Sequence, residues 1–269
     1  MSETRASKDG EEGVKHPSES NDPACYPVVE LRQYTLKPGR RDELIALFER
    51  HLLEGQEQYG MQIIGQFRRR TDPDQFVWLR GFADMEARRQ ALQNFYFGPI
   101  WQDHRTAANA TMLDSDNVLL LKPVRAASGL RFDPSRRPAM DAQDKAGGMI
   151  IATIYTFDAP IGSPFVDFFE TKVTPVLCAA GAVLLGYYIT EPAENTFPQL
   201  PVREGEQVFV WFASFADEEA YTAYQMALTA SQAWTTSLAP ALQEWLARPE
   251  EVLELAPSRR SLLRHRSMT

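Results

Sequence analysis

Glu30, Arg32 and Tyr34 occupy alternate positions of one short stretch, so a β-strand there turns all three to the same face. Trp78 and Arg80 repeat the two-residue spacing further along. Charges on a half-buried strand are costly unless they are paired or used. Two arginines beside a tryptophan and a tyrosine suit a carboxylate or enolate: the guanidinium groups hold the oxygens, and the rings wall an aromatic or polyketide-like skeleton. In that chemistry Glu30 is a proton acceptor or the group that orients the arginines. The competing reading is an internal Glu30–Arg32/Arg80 ion-pair network that fixes how two sheets face one another. Both readings turn on strand register, because Arg32 and Arg80 share a face in only one of the two alignments.

The histidines offer a second chemistry. His16 and His265 lie near the ends of the chain, whereas His51 borders the apolar stripe of a helix and His104 follows Trp101 at helical spacing. A histidine so placed is a general base, an axial haem ligand or a hydrogen-bonded boundary residue. The candidate catalytic residues are thus Glu30, Arg32, Arg80 and His104, and the candidate ligand contacts are Arg32, Tyr34, Trp78 and Arg80. No HExxH, clustered ligand set, GxGxxG, GxxxxGK[ST] or GxSxG is present, so neither a metal site nor an organic cofactor is expected.

The elements that carry these residues are written twice. The junction FADMEA at Phe82 returns as FADEEA at Phe215, 133 residues later; Trp78 falls on Trp211 and Trp101 on Trp234 at the same offset. Upstream the offset is 121, which pairs Gly60 with Gly181, Phe48 with Phe169 and Tyr34 with Tyr155. The twelve-residue difference is one insertion in a turn, where 192–205 (PAENTFPQLPVREG) replaces 71–74 (TDPD). In the first copy, 28–36 reads as a strand and 41–59 as a helix with Leu44, Leu47, Phe48 and Leu52 on one side, ended by Gly60. A hairpin over 61–70 and 75–83 follows, then a helix capped by Asp84, broken near Gly98-Pro99 and resumed around Trp101, then a strand over 117–121. The second copy repeats the order over 149–255.

This β-α-β-β-α-β order, twice, predicts an α+β protein of two tandem ferredoxin-like domains. The runs Phe76-Val-Trp-Leu79 and Val208-Phe-Val-Trp-Phe212 are apolar on both faces. Helices cover one face of such a sheet, so the other is expected to pack on the sheet of the second copy. The expected organisation is a disordered segment over 1–25, domains over 26–124 and 148–257, a linker over 125–147 and a basic, solvated tail over 258–269.

Copy one differs from copy two where chemistry is at stake. Glu30, Arg32 and Arg80 become Ile151, Thr153 and Ala213, and Gln66 and Arg68 become Tyr187 and Ile189. A site is therefore expected in copy one.

The formal net charge of −8 opposes a nucleic-acid or anionic-membrane partner. The first residues lack an apolar targeting core, and the longest apolar run, 176–189, is shorter than the roughly 18 residues a membrane helix needs. Cys25 and Cys178 fit a reducing cytoplasm, with Cys178 expected as a small buried residue.

The stretch VELRQYTLKPG over 29–39, with GPIWQ at 98–102, resembles the NIPSNAP family, which belongs to the dimeric α/β-barrel superfamily. The second copy has ATIYTFDAP over 152–160 instead and resembles a diverged member. The resemblance implies a fused, intramolecular dimeric α/β barrel that is a monomeric pseudo-dimer or a homodimer. Its superfamily includes cofactor-independent monooxygenases, haem-handling enzymes and non-catalytic members. Three functions follow: a barrel cleft that binds or transforms a small hydrophobic, oxygen-rich molecule by monooxygenase- or isomerase-like chemistry; a scaffold whose contacts lie on the Arg-rich tail and the insertion; and a haem-binding barrel.

Overall fold

The computed structural model describes residues 25–142 and 147–265. Its eight strands close into one antiparallel barrel in the order β1-β3-β2-β8-β5-β7-β6-β4. Copy one supplies β1 (Val28–Leu36), β2 (Gln62–Arg69), β3 (Gln75–Phe82) and β4 (Met112–Pro123). Copy two supplies β5 (Met149–Phe157), β6 (Val183–Thr190), β7 (Gln207–Phe215) and β8 (Arg248–Pro257). The two sheets join edge to edge where β2 pairs with β8 and β4 with β6. Closure leaves no strand edge unpaired and gives each open face a partner, which meets the demand of the continuously apolar strands.

Alternation divides the barrel into two shells. Val29 and Leu31 point to the lumen, where they meet Leu79, Ile150, Ala152, Val210 and Leu253 from both copies in one buried cluster. The opposite face of the copy-one sheet packs under α1 (Arg41–Leu47), α2 (Leu53–Glu57), α3 (Met85–Tyr96) and α4 (Pro99–Thr111). Copy two is covered in the same way by α5 (Ser163–Phe168), α6 (Thr174–Ala179), α7 (Glu218–Ala230) and α8 (Ala239–Gln243). A π-type turn, Phe48–Leu52, interrupts the first helix, and Phe169–Val173 does the same at the duplicated position. It belongs to the repeated scaffold rather than to one copy's chemistry. Gly60 ends the first helix at φ 87°, the left-handed conformation glycine adopts without penalty. Asp84 caps α3 by accepting from the Ala87 amide at 2.6 Å, and Asp217 caps α7 in the same way through Ala220.

The structure corrects three expectations. The basic tail is not solvated over 258–265: Leu262 and Leu263 enter the lumen cluster, and Arg260 is 6% exposed, its amide donating to the Glu49 carboxylate and one guanidinium nitrogen to the Glu49 carbonyl. The tail thus adds apolar volume to the close-packed interior of the barrel. The region read as a linker does the same through Leu130 and Phe132. It passes so close to β6 that a Cβ on Gly186 would lie 2.8 Å from the Ser128 carbonyl oxygen, which only glycine tolerates. Cys178, expected to be buried, is exposed because it sits on the outer side of α6. His16 and most of the N-terminal segment lie outside the described residues.

Candidate functional site

Register settles the first question. Glu30 pairs with Arg80 and Arg32 with Trp78 across β1 and β3, so both arginines share the face that looks toward the helices. The candidate site therefore lies between sheet and helices of copy one, and the barrel cleft expected from the sequence is instead a packed lumen.

Glu30 is the hub. Its Oε2 accepts from Arg32 Nη1 and from Arg80 Nε, each at 2.7 Å, and its Oε1 accepts from Arg88 Nε at 2.7 Å. All four residues have no solvent exposure. One carboxylate against three guanidiniums leaves a buried excess of two positive charges. The ordinary cost of burying unbalanced charge makes this arrangement hard to explain by stability alone. Burial works against ionisation of Glu30, but the Arg80, Arg32 and Arg88 charges overcome it and hold the carboxyl far below the usual carboxylate range.

The donors outnumber their acceptors. Arg32 Nη2, Arg80 Nη2 and Arg88 Nη2 are buried without a hydrogen-bond partner, and so is Trp78 Nε1. The Gln66 side chain, opposite Trp78 on β2, has neither its oxygen nor its nitrogen paired. Native proteins pair nearly all such groups, so several unpaired donors in one buried cluster are an anomaly that an acceptor would remove.

Aromatic rings frame the cluster. Arg32 lies 5.4 Å from the centroids of both Tyr34 and Trp78, and Arg80 lies 5.1 Å from Trp78. A narrow cavity of about 30 Å³, room for a few atoms, opens between the sheet, the first helix and α4; Tyr34, Phe48, Gln56, Trp78, Tyr96 and Trp101 are among its walls. The arginines stand just behind these walls. Tyr34 Oη accepts from Arg32 Nε at 3.0 Å, and Gln56 Oε1 accepts from Arg80 Nη1 at 2.9 Å.

Sequence reasoning missed Arg88 and Gln56. Arg88 looks like one of a solvated Arg88-Arg89 pair on a helix, yet its duplicate in copy two is Tyr221 and that of Gln56 is Leu177. The comparison of copies that exposed Arg32 and Arg80 would have found both. The insertion is also part of the site: Arg88 Nη1 donates to Asn195 Oδ1 at 3.0 Å and to Thr196 Oγ1 at 3.2 Å. Phe197 stacks on Tyr96 with ring centroids 5.8 Å apart. The extra turn of copy two thus closes over the site of copy one.

The histidines are placed elsewhere. His51 and His104 stack on each other, with centroids 4.0 Å apart, at the outer junction of the π turn and α4. Neither lines the cavity. His265, read as part of the solvated end, lies beside Ser214 Oγ at 3.2 Å. Among the described residues no group of three or more His, Cys, Asp or Glu is arranged to hold a metal, and no helix is long and apolar enough to cross a membrane.

The family model named NIPSNAP matches residues 29–127. A solved anthrone oxidase-like protein is similar over 86% of this chain and 91% of its own, at 12% identity and a TM-score of 0.56, which speaks for the shared fold. A NIPSNAP-like domain protein from Burkholderia xenovorans is 27% identical over 40% of this chain and 96% of its own, with a TM-score of 0.36. A NIPSNAP family protein from Agrobacterium tumefaciens is 21% identical over 37% of this chain and 94% of its own, with a TM-score of 0.35. No curated protein matches the chain.

Proposed function

We propose that this chain, whose first copy is a NIPSNAP domain, binds a small organic anion with an aromatic or polyketide-like body between the sheet and helices of that copy. The observation that carries the reading is the buried excess of two positive charges with three unpartnered guanidinium nitrogens on the arginines that surround Glu30. A carboxylate or enolate oxygen satisfies those donors and balances the charge. The body of the ligand lies against Trp78 and Tyr34, and α4 moves away from the first helix to admit it, since the cavity as it stands holds only the head group.

The same field favours one kind of reaction. An enol or phenol oxygen beside uncompensated guanidiniums loses its proton more readily, and the electron-rich carbon so formed is the species that isomerisation, or oxygenation without an organic cofactor, acts upon. Glu30 is not the base in this scheme. Its oxygens are occupied by three arginines and its proton affinity is depressed, so it orients Arg32, Arg80 and Arg88.

The filled lumen favours a second reading, a non-catalytic interaction barrel. The tail contributes little to it, because Arg260 is committed to Glu49 and Glu54 within the chain. Neither histidine reaches the cavity, so the geometry lends haem binding no support.

Calorimetric titration with 2-naphthoate, alongside native mass spectrometry, tests the proposal. Wild-type protein should bind it, and Arg88→Gln should weaken binding at least about tenfold, as removal of one desolvated charge partner does. Equal affinity in both proteins, or no binding by the wild type, sinks the anion reading and leaves the interaction barrel.

A further inference from the structure

The duplication placed a second chamber where copy two lacks the arginines. Between its sheet and α7 lies a cavity of about 280 Å³ whose walls include Tyr155, Leu177, Trp211, Tyr221, Tyr224 and Trp234. Its volume stands near the lower end of ligand pockets, about 300 Å³. Position by position it is the copy-one site rewritten: Tyr155 stands for Tyr34, Leu177 for Gln56, Trp211 for Trp78, Tyr221 for Arg88 and Trp234 for Trp101.

One polar feature survives the rewriting. Trp211 Nε1 is buried and makes no hydrogen bond of good geometry, like Trp78 Nε1 in copy one, and the group it does interact with is the Tyr155 hydroxyl in the same cavity wall. Among the described residues no arginine or lysine lines the copy-two cavity, and the carboxylate in its wall, Glu250, repels anions. Burial pushes the Tyr155 and Tyr224 hydroxyls well above the usual phenol range, so both stay neutral donors and acceptors at physiological pH. The mouth is wider than in copy one because Thr229 occupies the position of Tyr96, and Thr229 is exposed.

We infer that copy two holds a second, separate binding site for a neutral planar aromatic molecule carrying a hydroxyl or carbonyl oxygen, which accepts the Trp211 indole N–H while the tyrosines flank its ring. The chain thus presents one repeated indole donor in two electrostatic settings, cationic in copy one and neutral in copy two. The inference stands apart from the anion site, and its failure would leave that reading untouched.

The experiment is a pair of calorimetric titrations on the full chain, with 2-naphthol as the neutral probe and 2-naphthoate as its charged counterpart. Thr229→Tyr, which narrows the mouth with the residue copy one uses, should weaken 2-naphthol at least about tenfold. Trp211→Phe, which keeps the ring and removes the N–H, should weaken it about fivefold, the loss of one neutral hydrogen bond. Arg88→Gln should leave 2-naphthol binding unchanged, and Thr229→Tyr should leave 2-naphthoate unchanged. The inference is overturned if wild-type protein fails to bind 2-naphthol, or if both Thr229→Tyr and Trp211→Phe bind it as the wild type does. Thr229 lies on the surface, so its variant folds and keeps the test decisive.

Discussion

Arg88 Nε donates to Glu30 Oε1 at 2.7 Å, joining a helix to the strand beneath it through the carboxylate that three arginines share. The Asp84 cap sets where α3 begins, and therefore which of its side chains turns inward at Arg88. Removing the hub leaves three buried cations facing one another. Glu30→Gln should therefore lower unfolding free energy by about 3–5 kcal/mol, the usual consequence of stripping a buried ion pair of one partner. Urea unfolding of the two proteins measures it, and a loss under about 1 kcal/mol would mean that solvent or a counter-ion reaches the cage.

The same carboxylate leaves a mark on acid stability. Its pKa in the folded chain lies below the unfolded value of about 4.3, so its contribution is complete above that pH and falls away as pH drops toward the folded value. The stability difference between wild type and Glu30→Gln should be flat above about pH 5 and shrink in more acid solution. A difference that instead grows on acidification contradicts the assigned ion pairs.

The insertion ties the copies together at the site. Phe197 is buried against Tyr96, and Asn195 and Thr196 accept from Arg88. Phe197→Ala should cost about 3 kcal/mol and should also change 2-naphthoate affinity, although position 197 belongs to the other copy. Calorimetry after a stability check reads both effects; unchanged affinity would show that the turn covers the site without controlling it.

The tail contributes to the barrel core. Leu263→Ala should destabilise by about 2–5 kcal/mol, as leucine truncation in a packed interior does. A thermal-melt change within error would mean that residues 258–265 leave the lumen readily and that the lumen is a usable cavity after all.

The histidine stack gives a spectroscopic check on α4. Burial, then the neighbouring His104 and Arg50 charges, lower the His51 pKa from its ordinary value. In a proton NMR titration His51 should titrate below a free histidine, and His104→Ala should move it up. An unmoved His51 would mean the two rings are apart in solution.

Much of the architecture is legible along the chain. The repeated FAD(M/E)EA frame, the paired tryptophans and the Asp84 and Asp217 caps are local signals, and each marks the same element in both copies. Alternation placed Glu30 with Arg32 because neighbours on one strand need no register. That Arg32 and Arg80 share a face was a matter of pairing between strands far apart in sequence, and only the closed sheet decided it. Arg88 escaped because a helix places a residue inward or outward according to what packs on it, and Arg88-Arg89 reads as solvated until the sheet is beneath it.

The amino-acid sequence by itself determined the duplication, the two ferredoxin-like halves and the replacement of Glu30, Arg32 and Arg80 by uncharged residues in copy two, because these follow from repeated local patterns. The tertiary structure alone decided that the lumen is filled and that the arginine cluster lies under the helices. Packing density and charge balance are properties of the assembled volume, and no stretch of chain specifies how much space its neighbours leave: the tail joins the strands' side chains in the lumen, and three arginines share one carboxylate because Arg80 and Arg88 come from elements far along the chain to meet Glu30 and Arg32.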